Sequence, residues 1–191
     1  MNLPAVSAQQ GFVPTIWGEP VYTNDSIPNM PIGTLNFGAD GIALSADAQT
    51  LYFSTTVGLT FHSVPTAHLR DNGPYSEITA QQSMQYLGMK GLSDGLESDS
   101  NNNIYCGNME DNSIQIFHPS IGTFTTFIRD PRFSWTDTMS VAADGYLYFT
   151  ENQLWRSPNY QGGVDRRQKP YVLFRTKLPG NGTKLTQPAP I

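Results

Sequence analysis

Asp40-Gly41-Ile42-Ala43-Leu44-Ser45, followed across a turn by Leu51-Tyr52-Phe53-Ser54, sets a pattern that this chain uses three times. Asp94-Gly95-Leu96-Glu97 leads to Ile104-Tyr105-Cys106-Gly107, and Asp137-Thr138-Met139-Ser140-Val141 leads to Leu147-Tyr148-Phe149-Thr150. The later strand opens 11, 10 and 10 positions after its Asp. Successive Asp residues are 54 and 43 positions apart. Self-similarity at roughly 40–50 residues in a strand-rich chain is the signature of propeller blades. The expected fold is therefore all-β, a β-propeller of four-stranded blades, with function confined to the central channel and the loops around its mouth.

Working outward, the first blade is expected to use Gly41–Leu44, Leu51–Thr55 and Thr60–Val64. One helical turn over Pro65–Leu69 and a loop over Asp71–Glu77 should follow, because Asn72-Gly73-Pro74 breaks regular structure. The next blade reads as Ser83–Leu87, Gly95–Ser98, Ile104–Asn108 and Ser113–His118, with Thr123–Arg129 as a further strand. Asp99-Ser100-Asn101-Asn102-Asn103 is a turn of residues that tolerate left-handed backbone. Ala143-Asp144-Gly145 signals a tight hairpin in the third repeat, which Gln153–Arg156 and Tyr171–Leu178 should close. Residues 1–36 are Pro-rich and read as a connecting segment with one strand around Glu19–Tyr22. Residues 37–178 hold the blades, and 179–191 form a loosely packed tail.

Composition supports this class. The chain has 191 residues, 12% aromatics, 17 Gly and 14 Pro, a mixture suited to aromatic strands joined by many turns. A net charge of −5 offers no basic stripe to replace phosphate counterions, so nucleic acid is not an expected partner. No run approaches the ~18 apolar residues of a membrane span. The single cysteine, Cys106, permits no internal disulfide and reads as a small buried apolar residue. Its remoteness in sequence from His62, His68 and His118 argues against a catalytic thiol. Met1-Asn2-Leu3-Pro4-Ala5 lacks the features of a secretory leader, so secretion would need one ahead of this segment, and the compartment stays open. Asn24-Asp25-Ser26 and Asn181-Gly182-Thr183 are glycosylation sequons that matter only in that case.

Several stretches together resemble the Yellow / major royal jelly protein family: Gly38-Ala39-Asp40-Gly41-Ile42-Ala43-Leu44-Ser45, Ser63-Val64-Pro65-Thr66, Ser93-Asp94-Gly95-Leu96-Glu97, Trp135-Thr136-Asp137-Thr138, Asp144 through Thr150, and Asn152-Gln153-Leu154. The resemblance covers residues 36–178. It implies a six-bladed propeller when complete, of which this chain supplies three to four blades from the C-terminal half. The missing half would then come from the same longer chain or from a partner chain.

The repeated Asp residues carry two readings. If each opens the innermost strand of a blade, Asp40, Asp94 and Asp137 converge on the channel axis. Converging carboxylates repel unless a donor, proton or cation compensates. In one reading they accept hydrogen bonds from neighbouring backbone or cap the Asp-Gly turn. In the other they bind a ligand or metal. The pattern Asp-Gly-Ile-x-x-Ser also resembles the SMP-30/gluconolactonase propellers, which implies calcium as an alternative cofactor at the three Asp residues. Asp40 stands where those proteins tend to have Asn, and the Glu they use would come from a blade this chain lacks. Otherwise no cofactor is expected.

The Yellow resemblance instead implies a small aromatic or hydrophobic ligand in the channel. Asn152 would supply a donor and an acceptor, and Trp135 and Leu154 apolar contact, with Asp40, Asp94 and Asp137 at the mouth. Tyr148, Phe149 and Trp155 are candidate walls, although alternating strand aromatics more often fill the core between blades. The chain is also similar to fungal tailoring proteins of secondary metabolism, including hetero-Diels–Alderases. That chemistry needs an apolar cavity and a donor rather than a nucleophile or metal, and Thr138, Tyr148 and Asn152 are the candidate catalytic donors. The reading leans towards catalysis. The alternatives are a calcium-dependent lactonase or hydrolase and a secreted ligand-sequestering protein without activity.

Overall fold

The computed structural model describes residues 3–23 and 31–186. Four short strands come first: β1 (Thr15–Ile16), β2 (Glu19–Pro20), β3 (Tyr22–Thr23) and β4 (Gly33–Thr34), paired as the hairpins β1–β2 and β3–β4. The first blade is an antiparallel sheet of β5 (Ala39–Leu44), β6 (Thr50–Thr55), β7 (Thr60–Pro65) and β8 (Gln85–Met89), with α1 (Thr66–Arg70) and α2 (Ser76–Gln82) between the last two. The second contains β9 (Leu96–Ser98), β10 (Ile104–Asn108), β11 (Ser113–His118) and β12 (Thr123–Arg129). The third has three strands, β13 (Trp135–Val141), β14 (Tyr146–Asn152) and β15 (Leu173–Lys177). Each sheet runs in chain order from inside to outside, which is a propeller blade.

Four local expectations need correction. The single strand expected around Glu19–Tyr22 is two, β2 and β3, which belong to separate hairpins. The strand expected at Ser83–Leu87 is Gln85–Met89, and it completes the first blade instead of opening the second. It pairs with β7 from Thr60↔Met89 to Ser63↔Gln85, since β7 offers the nearest open edge after the helical excursion. Helix α2 occupies part of the expected loop. Its N-cap is Tyr75, which makes no side-chain cap bond, and the acidic Glu77 in the first turn is its one start signal. Residues 154–156 form a single 3-10 turn, not a strand. Other turn signals read correctly. Asn102 has φ 61° and Gly145 φ 79°, and the buried Asp99 carboxylate gathers the Asn101 and Asn103 amides and the Tyr105 hydroxyl.

Apolar side chains fill the spaces between blades. Ala43, Tyr52 and Phe61 meet Leu96, Ile104, Cys106 and Phe117 between the first two. Tyr105, Ile114 and Ile116 meet Met139, Val141, Leu147 and Phe149 between the second and third. The strict alternation in β14 sends Leu147, Phe149 and Glu151 inward, as a half-buried strand requires. Cys106 is fully buried, and burial pushes its thiol up to about 12, so at neutral pH it is an inert core residue. A third cluster brings Ile16, Val21 and Leu35 of the first hairpins against Met109, Trp135 and Trp155. At the other end, Thr183 and Ser100 exchange hydrogen bonds. Asn181 is exposed, and Asn24 lies outside the described residues. Among the described residues no helix is long and apolar enough to cross a membrane.

Two glycines explain how the blades meet. A Cβ on Gly41 would lie 2.1 Å from the Asp94 carbonyl oxygen, and one on Gly95 would lie 1.7 Å from that of Asp137. Each Asp-Gly pair thus lets one innermost strand touch the Asp of the next blade. Gly95→Ala and Gly41→Ala should each destabilise the protein by ~1–3 kcal/mol or more, the usual cost of overpacking. At this chain length that lowers Tm by at least several degrees, at roughly 2–4 °C per kcal/mol. Gly107→Ala, where the nearest atom to the new Cβ would be Thr136 Cβ at 3.3 Å, is the control and should shift it less. Equal melting curves for all three would disprove the contact.

Candidate functional site

The three repeat carboxylates lie on or just before neighbouring innermost strands, but they are not equivalent. Asp40 and Asp137 both sit where the inner ladder is irregular, between Ala39 and Ile42 and between Thr136 and Met139. Asp94 just precedes β9. Irregular ladder positions turn side chains out of the pleat, a device frequent beside functional sites. Asp40 is exposed, Asp137 half-buried and Asp94 buried.

Asp94 is fully engaged. Its Oδ1 accepts from Thr56 Oγ1 at 3.1 Å and its Oδ2 from Trp135 Nε1 at 2.7 Å, so one carboxylate bridges the first and third blades. Burial pushes its carboxyl up to about 6; the Trp135 bond pulls it back, and the charges of Asp137 and Asp40 raise it further. Nearby, the buried Lys90 ammonium donates to the carbonyls of Gly91 at 2.9 Å and Gly58 at 3.5 Å. Burial brings it down to about 8, against the opposing pull of Cys106 and Asp94. Calcium needs several free oxygens around one point. Each Asp94 oxygen already accepts one hydrogen bond, and among the described residues no group of three or more His, Cys, Asp or Glu is arranged to hold a metal. The three Asp residues alone do not make a calcium cage.

Asp137, Asn152 and Leu154 come together. They line a cleft of about 460 Å³ on the channel side of the third blade, with Glu151, Arg167 and Tyr171. Asn152 Nδ2 donates to Asp137 Oδ2 at 3.1 Å, and its Oδ1 accepts from Leu154 N at 2.9 Å. The amide is thereby fixed with one N–H to spare. Thr138 is exposed beside it, its backbone N–H donating to Thr150 Oγ1 at 3.3 Å. Trp135 and Tyr148 are elsewhere. Trp135 is buried in the core around Asp94. The Tyr148 hydroxyl donates to Asp144 Oδ2 at 2.8 Å and accepts from Arg175 at 3.2 Å near the β13–β14 turn. Phe149 and Trp155 are core residues.

Glu151 is the residue that sequence reading passed over. It is buried at an inward position of β14, where its Oε2 accepts from Ser134 N at 2.6 Å and its Oε1 from Thr136 Oγ1 at 2.5 Å. Burial raises its carboxyl pKa, against the bonds from Thr136 and Ser134. An acid in register with Leu147 and Phe149 on the core face was the available signal, because unpaired buried carboxylates are rare.

The Asp94 environment fixes a pH response. A carboxyl raised on folding binds its proton more tightly in the native state, so stability falls as pH rises through the interval from its unfolded value near 4 up to about 6. The loss attached to this group is on the order of 2 kcal/mol. Asp94→Asn should flatten the Tm-versus-pH curve between pH 4 and 6 relative to the parent. Parallel curves for parent and variant would refute the assignment.

The model of the major royal jelly protein family matches residues 18–185. Among solved structures the fold is similar to a gluconolactonase from Xanthomonas campestris, with TM-score 0.52 and 18% identity over 81% of this chain and 48% of that one. It is also similar to a calcium-binding regucalcin from Agrobacterium tumefaciens, at TM-score 0.45 and 16% identity over 81% and 50% of the two chains, and to a luciferin-regenerating enzyme, at TM-score 0.49 and 16% identity over 85% and 52%. No curated protein sequence matches the chain. The chain spans about half the length of these solved structures, and likeness at such identities speaks for the fold alone. The family match takes in all three blades and every repeat Asp, and on it the chain belongs to the major royal jelly protein family.

Proposed function

We propose that these blades form part of a small-molecule-binding propeller whose ligand, aromatic or otherwise apolar with one polar handle, lies against the third blade. The observation that carries the reading is the cleft joining Asp137, Asn152, Leu154 and Tyr171. An anchored amide with a spare donor, a carboxylate, and apolar contacts from Leu154 and the Tyr171 ring form the mixture that small-ligand sites use. The cleft is open on the side where a further blade would pack, so the proposal includes a completing polypeptide, from the same longer chain or from a partner.

The catalytic form of this proposal is a cycloaddition of the hetero-Diels–Alder type. Two σ bonds form at the expense of two π bonds and no atom leaves, so the chain need only hold two partners in near-attack geometry and hydrogen-bond the polarised carbonyl. The spare Asn152 N–H is one donor that this cleft offers. A calcium-dependent lactonase is the second reading, favoured by the mutual influence of Asp40, Asp94 and Asp137. It would need additional oxygen ligands from the completing blades, since the described residues hold no group of three or more His, Cys, Asp or Glu arranged for a metal.

Native mass spectrometry of the purified protein, with and without chelator, tests these together. The expected result is a metal-free organic adduct, accompanied by mass from a completing polypeptide. Asn152→Ala should weaken retention of that adduct about tenfold, near the ~1.4 kcal/mol of one good hydrogen bond. An added ~40 Da lost to chelator would overturn this reading in favour of calcium. A bare monomer that melts cooperatively would contradict the need for completion.

A further inference from the structure

A second cleft, of about 370 Å³, lies between the β1–β2 hairpin and the third blade. Trp17 and Phe174 line it, with the buried Ser134 and Glu151, and Arg132 and Arg156 supply cationic groups. Trp17-Gly18 is the two-residue hairpin turn, with both residues at positive φ, 54° and 76°. That geometry suits a short hairpin, yet a bulky residue rarely adopts it. Trp17 is held there by its Nε1–H bond to the Phe133 carbonyl at 2.8 Å and by edge contact with Trp155 at 5.3 Å.

The product of this arrangement is a placed guanidinium. Arg156 lies 4.8 Å from the Trp17 ring centroid and 5.0 Å from that of Trp155. Arg129, Arg132 and Arg167 pair with Asp111, Asp130 and Asp165. Arg156 has no such partner among the described residues, and its guanidinium makes ring contacts only. Indole faces steady a guanidinium without occupying its N–H fork, and a free planar fork matches a carboxylate in bidentate fashion. The Glu151 carboxylate nearby is turned to Ser134 and Thr136 and leaves the fork unused. Arg132 stacks on Phe174 at 5.1 Å, but Asp130 neutralises it, so recognition of a negative group falls to Arg156.

We propose that this cleft is a second ligand site, for a flat aromatic carboxylate whose anionic end pairs with Arg156 and whose ring lies beside Trp17. It adjoins the channel-side cleft, with which it shares Glu151 and Gln153, but it does not depend on the channel reading.

Isothermal titration of the full chain with 2-naphthoate tests it, with 2-naphthalenemethanol as the neutral counterpart. Naphthoate should bind at least tenfold more tightly than the alcohol. Arg156→Gln should lose at least tenfold in affinity, and Arg156→Lys should lose part of it, because an ammonium keeps the charge without the fork. Asn152→Ala should leave naphthoate binding unchanged. Equal binding of the alcohol, full affinity in Arg156→Gln, or no binding of naphthoate at millimolar concentration would each overturn the proposal. Loss of binding in Asn152→Ala alone would also overturn it, by assigning the ligand to the channel-side cleft. If Arg156→Gln does not melt cooperatively, Arg156→Lys decides, and undiminished affinity in that variant sinks the role of the fork.

Discussion

The structure depends on one close approach, in which the backbone of an Asp in one blade fills the space beside a glycine in the blade before it. A sheet blade has no covalent reason to sit at a fixed distance from the next. Side-chain packing between faces would allow many small displacements, since hydrophobic attraction has no direction. The contacts of Gly41 with Asp94 and of Gly95 with Asp137 remove that freedom at the inner edge, where the blades converge. The requirement also explains why the repeated element is a dipeptide. Asp supplies the carbonyl and, through its irregular ladder position, a side chain free of the pleat, while Gly supplies the absence of a side chain for the preceding neighbour.

This contact brings like charges together, and Asp94 shows how the fold handles them. Its carboxylate is tied to Thr56 in the first blade and Trp135 in the third. Those bonds offset part of the desolvation and of the repulsion from Asp40 and Asp137, and the raised pKa reports the part left over. The residue is better described as a bridge between blades than as a ligand waiting for an ion. The neighbouring Asp137 is differently placed. It is half-buried, bonded to Asn152, and open to a cleft. The same repeat position therefore yields a structural carboxylate in the middle blade and an accessible one in the last.

The fold class was legible because a two-residue signature and an aromatic strand recur at blade spacing, and those signals are local. Turns set by Asp99 and Gly145 were legible for the same reason. Membership of β8 in the first blade was not, because strand pairing is decided by which edge lies open after the chain has turned, and α2 hides that edge behind residues with no cap signal. Of the candidate residues, Asp137, Asn152 and Leu154 share one cleft. Trp135 and Tyr148 were assigned to the wrong surroundings. Alternation says which residues share a face, but it does not say that an indole N–H will be drawn inward by a buried carboxylate, or that Asp144 and Arg175 will hold a phenol at the turn. Arg156 had no sequence signal at all, because its partners are an aromatic neighbour and a tryptophan from a distant hairpin.

The third repeat breaks the dipeptide rule, and the break has a structural meaning. Thr138 stands where Gly41 and Gly95 stand in the first two, and it is exposed. A following blade that approached as the second approaches the first would press its Asp backbone into the Thr138 Cβ, at the 1.7–2.1 Å separations that glycine tolerates in the other repeats. A second copy of this chain, presenting Asp40 in that geometry, would collide there. The first blade meanwhile presents Ile42 and Tyr86, each 59% exposed, in a cross-strand row with half-buried His62 and buried Phe53, and blades elsewhere in this molecule bury such apolar groups against a neighbour. The two bare faces are thus suited to being covered, but the contact that spaces the blades of this chain cannot be repeated at Thr138. Whatever surface meets the third blade must stand further off at its inner edge, and that added distance lies beside Asp137 and Asn152, where the channel-side cleft opens.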